Sequence, residues 1–177
     1  MKKELENFIK QNYPIQTWLN NPILRKKSEE VEVFNKELEE FAHILFEAMK
    51  LYDWVWLAAP QIWINKRIIA ACQLDKKLKK IIFADVLVNP KIVEKSPKTQ
   101  VNEEGCLSLP GIEAEVERSL KVKVIYQDVK WKKHEINAVG YNAAILQHEI
   151  DHLDWVLFLD KAKNKEKDLN LGKLLKL

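Results

Sequence analysis

The segment Tyr141 to Leu153, Tyr-Asn-Ala-Ala-Ile-Leu-Gln-His-Glu-Ile-Asp-His-Leu, constrains the fold more than any other part of the chain. It reads as a helix of about 141–153 that opens just after Gly140. On that helix His148 and His152 stand four apart and share one face, with about 5–6 Å between their Cβ atoms. Tyr141 and Ile145 continue this face, while Leu146, Ile150 and Leu153 line another. Apolar groups on both sides imply burial, so the histidines must find partners in the interior. The spacing lets two imidazoles converge on one metal ion. Glu149 cannot reach that ion from the same direction, but it can hold a water molecule and move its proton. The rest of the chain must therefore enclose this helix.

The elements that could do so are legible. Leu38, Phe41, Leu45, Met49 and Tyr52 recur at spacings of three and four, which predicts an amphipathic helix over 35–52. Asn35 suits its cap, and Glu37, Glu39 and Glu40 suit its positive end. Strands are expected at Arg67 to Leu74, Lys80 to Val88 and Lys121 to Tyr126. Asp128 to Lys132 reads as a hairpin turn returning through His134 to Ala138. The tail, with Lys161, Lys163, Lys165, Lys167, Lys173 and Lys176, is compatible with a lysine-rich helix over 161–177. Strands followed by a packed helix predict an α+β fold, antiparallel sheets around the buried helix that carries His-Glu-x-x-His.

With 177 residues the chain fits one domain, 1–177, with a real core. No apolar run is long enough to span a bilayer. The stretch Met1-Lys2-Lys3-Glu4-Leu5-Glu6 lacks the apolar core of a signal peptide, so a cytoplasmic location is the default expectation. A net charge of +3 is too small to argue for DNA binding.

The two cysteines do not suggest a disulfide framework. Cys72 lies in a strand-like run and reads as a small buried hydrophobe. Cys106 lies in Glu103-Glu104-Gly105-Cys106-Leu107-Ser108-Leu109-Pro110-Gly111. A thiolate there would complete a Cys-His-His site and leave a fourth position for water. Taken alone, such a cysteine is more often a buried thiol than a ligand. Gln61, taken alone, reads as a structural amide. Asp151 could orient a histidine or pair with Arg118, and the ion pair is the simpler reading. His43 and His134 have no expected catalytic role.

Three ordered blocks resemble the peptide deformylase family: Leu57-Ala58-Ala59-Pro60-Gln61, Glu104-Gly105-Cys106-Leu107-Ser108-Leu109-Pro110 and Gln147-His148-Glu149-Ile150-Asp151-His152-Leu153. Asn21-Pro22-Ile23-Leu24-Arg25 is similar to the family's N-terminal segment, and the likeness covers roughly residues 20 to 160. The resemblance implies that Cys106, His148 and His152 hold one divalent ion, typically Fe²⁺ in this family, with Zn²⁺ or Ni²⁺ able to occupy the site. It implies that Glu149 takes a proton from the attacking water. The Gln61 side-chain amide and the Leu107 backbone N–H would donate to the formyl oxygen as charge grows there. The implied partner is the formyl-Met N-terminus of nascent polypeptides, with a weak ribosome contact through the lysine-rich tail.

The chain departs from the family at glycines. Trp54 and Trp56 stand where the first block begins Gly-x-Gly, and Trp63, Trp131 and Trp155 occupy further expected glycine positions. Trp18 lies before the matched region and could be a sixth. Trp54 follows a helix end and Trp131 sits in a hairpin turn, places that favour positive φ. The chain has 4 glycines and 6 tryptophans. Some bacterial lineages read UGA as glycine, and another table renders it as tryptophan, so recoded glycine is expected at these positions. As written, an indole at Trp56 should crowd the substrate cleft and impair activity. Two other functions stay open: a zinc metallopeptidase that needs no Cys106, and a non-catalytic metal-binding homologue with a tryptophan-plugged cleft.

Overall fold

The computed structural model describes residues 2–75 and 80–163. The first element is a helix, α1 (Lys2–Asn12), which buries only Ile9. A second helix, α2 (Lys36–Leu51), begins at Asn35, whose side chain accepts from the Leu38 N–H at 3.0 Å. Of the predicted stripe Leu38, Leu45 and Met49 are buried, joined by Ala42 and Ala48, while Phe41 and Tyr52 are half-buried.

A five-stranded antiparallel sheet follows. Its strands are β1 (Trp56–Ala58), β2 (Ile68–Asp75), β3 (Lys80–Lys95), β6 (Lys121–Gln127) and β7 (Lys133–Val139), lying side by side in that order. A separate two-stranded hairpin joins β4 (Thr99–Cys106) and β5 (Leu109–Ser119). Successive strand residues point to opposite faces. Leu57, Ile68, Ala70, Val86 and Val88 accordingly pack with α2. Ala58, Ile69, Ala71, Leu87, Val122 and Val124 pack with Ala143, Leu146, Ile150 and Leu153 of the third helix, α3 (Tyr141–Leu153). The sheet is covered on both faces, which is why β2 reads as the unbroken apolar run Ile68-Ile69-Ala70-Ala71. A third apolar cluster lies under the β4–β5 hairpin, where Cys106, Leu109, Ala114 and Val116 meet Leu24, Leu157 and Phe158. The molecule is thus α+β, with antiparallel sheets and few helices.

One strand differs from expectation. β3 runs seven residues past Val88, because a register shift between Val88 and Lys91 carries the strand through Asn89 and Pro90. Of the helix expected over about 161–177, only residues 161–163 are described. A short 3-10 turn ends at Lys161, and Ala162 bridges to Val116. Residues 164–177, the remainder of that expected helix, lie outside the described residues.

Backbone angles bear on the tryptophans. Trp18, Trp63, Trp131 and Trp155 have φ of 80°, 76°, 67° and 57°. A residue with a Cβ pays about 1–2 kcal/mol for this left-handed conformation. Trp54 differs from expectation: at the end of α2 it is Asp53 that turns left-handed, with φ 54°, and its backbone N–H reaches the Lys50 carbonyl. The following Trp54 N–H closes the turn onto the Met49 carbonyl at 3.0 Å. Trp56 is buried in β1.

Leu45 is fully buried between α2 and the sheet. Leu45→Ala is expected to lower unfolding free energy by about 2–5 kcal/mol in urea denaturation. Ile125→Ala, on the exposed side of β6, is expected to change it by less than about 0.5 kcal/mol.

Candidate metal centre

Three pieces of chain build the centre. The first is α3, which packs against β1, β7 and β5 and is buried over most of its length, His148, Glu149 and His152 included. The two imidazole rings on it are 5.0 Å apart, centre to centre, and nearly perpendicular. The second piece is the end of β4. The turn at Leu107 and Ser108 brings Cys106 inward, and its Sγ lies 3.2 Å from His152 Nε2. The third is the 3-10 turn after β1, Ala59–Ile62, which carries Gln61. One nitrogen from each histidine and the Cys106 sulfur all lie within 4.8 Å of one another, and all three residues are buried.

Gln61 is fixed at both ends of its amide. Its Oε1 accepts from the Ala58 N–H at 2.9 Å. Its Nε2 therefore points at the centre, donating to Ser108 Oγ at 3.2 Å and lying 3.4 Å from Cys106 Sγ. The Ser108 N–H also donates toward that sulfur, at 3.4 Å. Leu107 is half-buried in the turn directly after Cys106. The structure thus brings together Cys106, His148, His152, Glu149 and Gln61, with Leu107 in the adjoining turn.

Glu104 is a participant that sequence reasoning missed. His148 Nδ1 donates to Glu104 Oε2 at 2.8 Å. Arg118 grips the same carboxylate with two parallel bonds, Nε to Oε1 and Nη2 to Oε2, both 2.8 Å. Such a bidentate pair fixes orientation as well as charge. Arg118 also pairs with Asp151, which accepts from Lys161 Nζ at 2.6 Å. Asp151 therefore makes the expected ion pair and does not touch a histidine ring. The missed signal was strand periodicity. In β4, Glu104 and Cys106 are two apart and both buried, so they share the inward face.

Charge follows from these contacts. Burial pushes the Glu104 carboxyl up, but hydrogen bonds from Arg118 and His148 outweigh it and hold it down at about 2. Burial pulls His148 down, yet hydrogen bonds to Cys106 and Glu104 raise it well above its ordinary value. His152 is depressed by burial and by the charge on His148. Glu149 is pushed up to about 7, mainly by burial. Its Oε2 has no hydrogen-bond partner among the described residues. Metal ligands of this kind bind deprotonated.

The donor set suits a metal. A thiolate and two imidazoles match the soft and borderline ligands of catalytic zinc and iron sites, and three protein ligands leave a coordination position open. A cleft of about 300 Å³ reaches the centre from outside, lined by Trp54, Val55, Trp56, Gly105, Ile145, His148 and Glu149, among others. The expected minor histidines stand elsewhere. His43 is exposed on α2, and His134 bonds Asp128 at 2.7 Å in the hairpin arm.

A sheet-and-helix scaffold with a buried Cys-His-His cluster that could hold a metal ion, a neighbouring carboxylate and an open cleft has the make-up of a hydrolase site. Comparison with known proteins narrows this. The polypeptide deformylase family profile matches residues 13–168. The chain is 41% identical to the peptide deformylase of Thermotoga neapolitana over 143 residues, 81% of this chain and 83% of that protein. Its fold is similar to the crystal structure of peptide deformylase from Thermotoga maritima, with a TM-score of 0.77 and 38% identity over 85% of this chain and 97% of that one. It is also similar to a class I type b peptide deformylase from Acinetobacter baumannii bound to Met-Ala-Ser, with a TM-score of 0.77 and 33% identity over 84% and 97% of the two chains. The chain belongs to the peptide deformylase family.

Removing Arg118 leaves Glu104 buried without its counter-ion. Arg118→Met is expected to cost about 3–5 kcal/mol in chemical denaturation. Lys36→Ala, which breaks an exposed pair with Glu40, is expected to cost less than about 1 kcal/mol.

Proposed function

We propose that the chain removes the formyl group from the N-terminal formyl-methionine of new polypeptides, in the cytoplasm, with one divalent ion held by Cys106, His148 and His152. The observation that carries this reading is the approach of the Cys106 sulfur to the two histidines of α3 from a distant strand. Family membership favours Fe²⁺, and the ligand set also accepts Zn²⁺ or Ni²⁺. A bound ion supplies Lewis acidity, which acidifies a water molecule and draws charge from the formyl oxygen.

The protein's own residues do the rest. Glu149, raised to about 7, is matched to receive and return a proton near neutral pH. Glu149 lines the cleft, and its buried, unpartnered Oε2 can accept a proton from the attacking water. As the formyl C–N bond breaks, Glu149 delivers that proton to the methionine nitrogen, releasing formate and a free amine. Gln61 Nε2, held inward by the Ala58 bond, and the Leu107 N–H donate to the oxygen that gains charge. Glu104 orients His148 through Nδ1, leaving Nε2 free to act as ligand. The formyl carbon bears only hydrogen, so a tight cleft can admit it and exclude ordinary peptide bonds.

The chain as written carries the partly exposed Trp54 at this cleft, with the buried Trp56 packed in the core beneath its wall. We therefore expect impaired turnover with metal binding retained. The lysine-rich tail offers a weak ribosome contact, read out as salt-sensitive co-sedimentation.

Metal analysis coupled to formate release from formyl-Met-Ala-Ser tests the reading. One ion per chain and formate production are expected. Cys106→Ala should abolish both. Glu149→Gln should retain metal and lose about 10²–10⁴-fold in kcat, and Gln61→Ala about 10²–10³-fold. If Cys106→Ala keeps its metal and cuts internal peptide bonds, the chain is a metallopeptidase of the His-Glu-x-x-His type.

In the same assay, Trp54→Gly with Trp56→Gly should raise the rate by opening the cleft. Metal without turnover, unrescued by these changes, would make the chain a non-catalytic homologue.

A further inference from the structure

The described residues contain eight positions with φ in the left-handed region. Two are glycines, Gly111 and Gly140, and two are Asp53 and Asn89. These are the residue types that tolerate the conformation. The other four are all tryptophan: Trp18, Trp63, Trp131 and Trp155. No other bulky residue type appears in the set. A positive φ falls on only a few per cent of non-glycine residues, and on a bulky one it is an outlier. Four of the chain's 6 tryptophans share it.

Local geometry shows that the backbone, not the indole, sets these angles. At the end of α3, Asp154 is the cap and Trp155 follows it. The Trp155 N–H reaches the His152 carbonyl at 3.3 Å, and the Val156 N–H reaches the Asp151 carbonyl at 2.9 Å. These two bonds form the Schellman motif, whose left-handed position is usually glycine. In the β6–β7 hairpin, the Trp131 N–H bonds the Asp128 carbonyl at 3.0 Å, and the Asp128 N–H bonds the Lys132 carbonyl at 2.9 Å. This is a three-residue loop, a type I turn followed by one left-handed residue, and that residue calls for glycine. Trp63 caps the 3-10 turn after Gln61, with φ 76° and ψ −3°. The Trp18 N–H is tied to the Ser108 carbonyl at 2.8 Å, in the turn that precedes Asn21.

Nothing about the side chains explains their presence. Their exposures are 41% for Trp18, 51% for Trp63, 68% for Trp131 and 49% for Trp155. Trp131 stacks on Phe34, and Lys27 stands over the Trp155 ring at 6.0 Å. Phe34 is half-buried against the α2 core cluster, and Lys27 is exposed.

We propose that positions 18, 63, 131 and 155 are glycine in the protein made by its own ribosomes, because the gene's UGA codons are read there as glycine. UGA differs from the tryptophan codon UGG by one base, so a table that assigns UGA to tryptophan would place an indole at each such position and touch no other residue type. The proposal stands on backbone angles at sites remote from the metal cluster and holds whether or not the chain is a deformylase. Its corollary is that a UGA codon at 54 or 56 makes the cleft wall glycine as well.

The test is peptide mass analysis of the protein purified from its own cells, read beside the codons of the gene. Glycine at all four positions, each encoded by UGA, is expected. Tryptophan in any of the four peptides overturns the proposal. A second measurement uses the chain as written and two fourfold variants, one changing Trp18, Trp63, Trp131 and Trp155 to glycine and the other changing them to alanine. The glycine variant should melt higher by about 2–4 °C per site. The alanine variant should gain less than half as much, since alanine also resists positive φ. Equal gains from alanine and glycine would mean that backbone conformation is not the cause, and the proposal would fall.

Discussion

Sealing a polar helix inside an apolar molecule is the constraint on which the rest of this structure depends. α3 carries two imidazoles and a carboxylate into the space between the five-stranded sheet and the β4–β5 hairpin. Each buried polar group there must be satisfied or it destabilises the fold. Glu104 and Arg118 satisfy one edge of His148, and Arg118 is itself held by Asp151. Cys106 and Gln61 close the other side. The hairpin and the turn after β1 therefore do more than cover the helix. They bring the thiol and the amide up against the histidines.

The same constraint accounts for chemistry. Burial that is costly for stability raises Glu149 to about 7, the range a proton carrier needs. Glu104, gripped by Arg118, pairs with His148 Nδ1 and so holds the orientation of that ring. A charge network and the proposed reaction centre thus share residues, and weakening one should perturb the other.

Much of this was legible from residues alone. α3 announced itself through paired histidines in apolar company, α2 through its stripe and the Asn35 cap, and the β6–β7 hairpin through the turn residues at 128–132. α1 was not, because it buries only Ile9 and its pattern is nearly all polar. The extent of β4 and β5 was missed because Glu113, Glu115 and Glu117 face solvent between Ile112, Ala114 and Val116, and because Arg118 looks like a surface residue yet is buried. β3 was cut short because Pro90 normally ends a central strand, and a bulge carries it past. Trp54 was misjudged because two positions at the end of α2 could turn left-handed, and Asp53, the better-suited type, does so.

The central claim is that one sulfur and two imidazole nitrogens share an ion. X-ray absorption at the metal edge of zinc-loaded protein tests it most directly. The account predicts one sulfur neighbour at about 2.3 Å and nitrogens at about 2.0–2.1 Å, the usual zinc distances. A coordination shell of nitrogen and oxygen alone, with no sulfur, would contradict it.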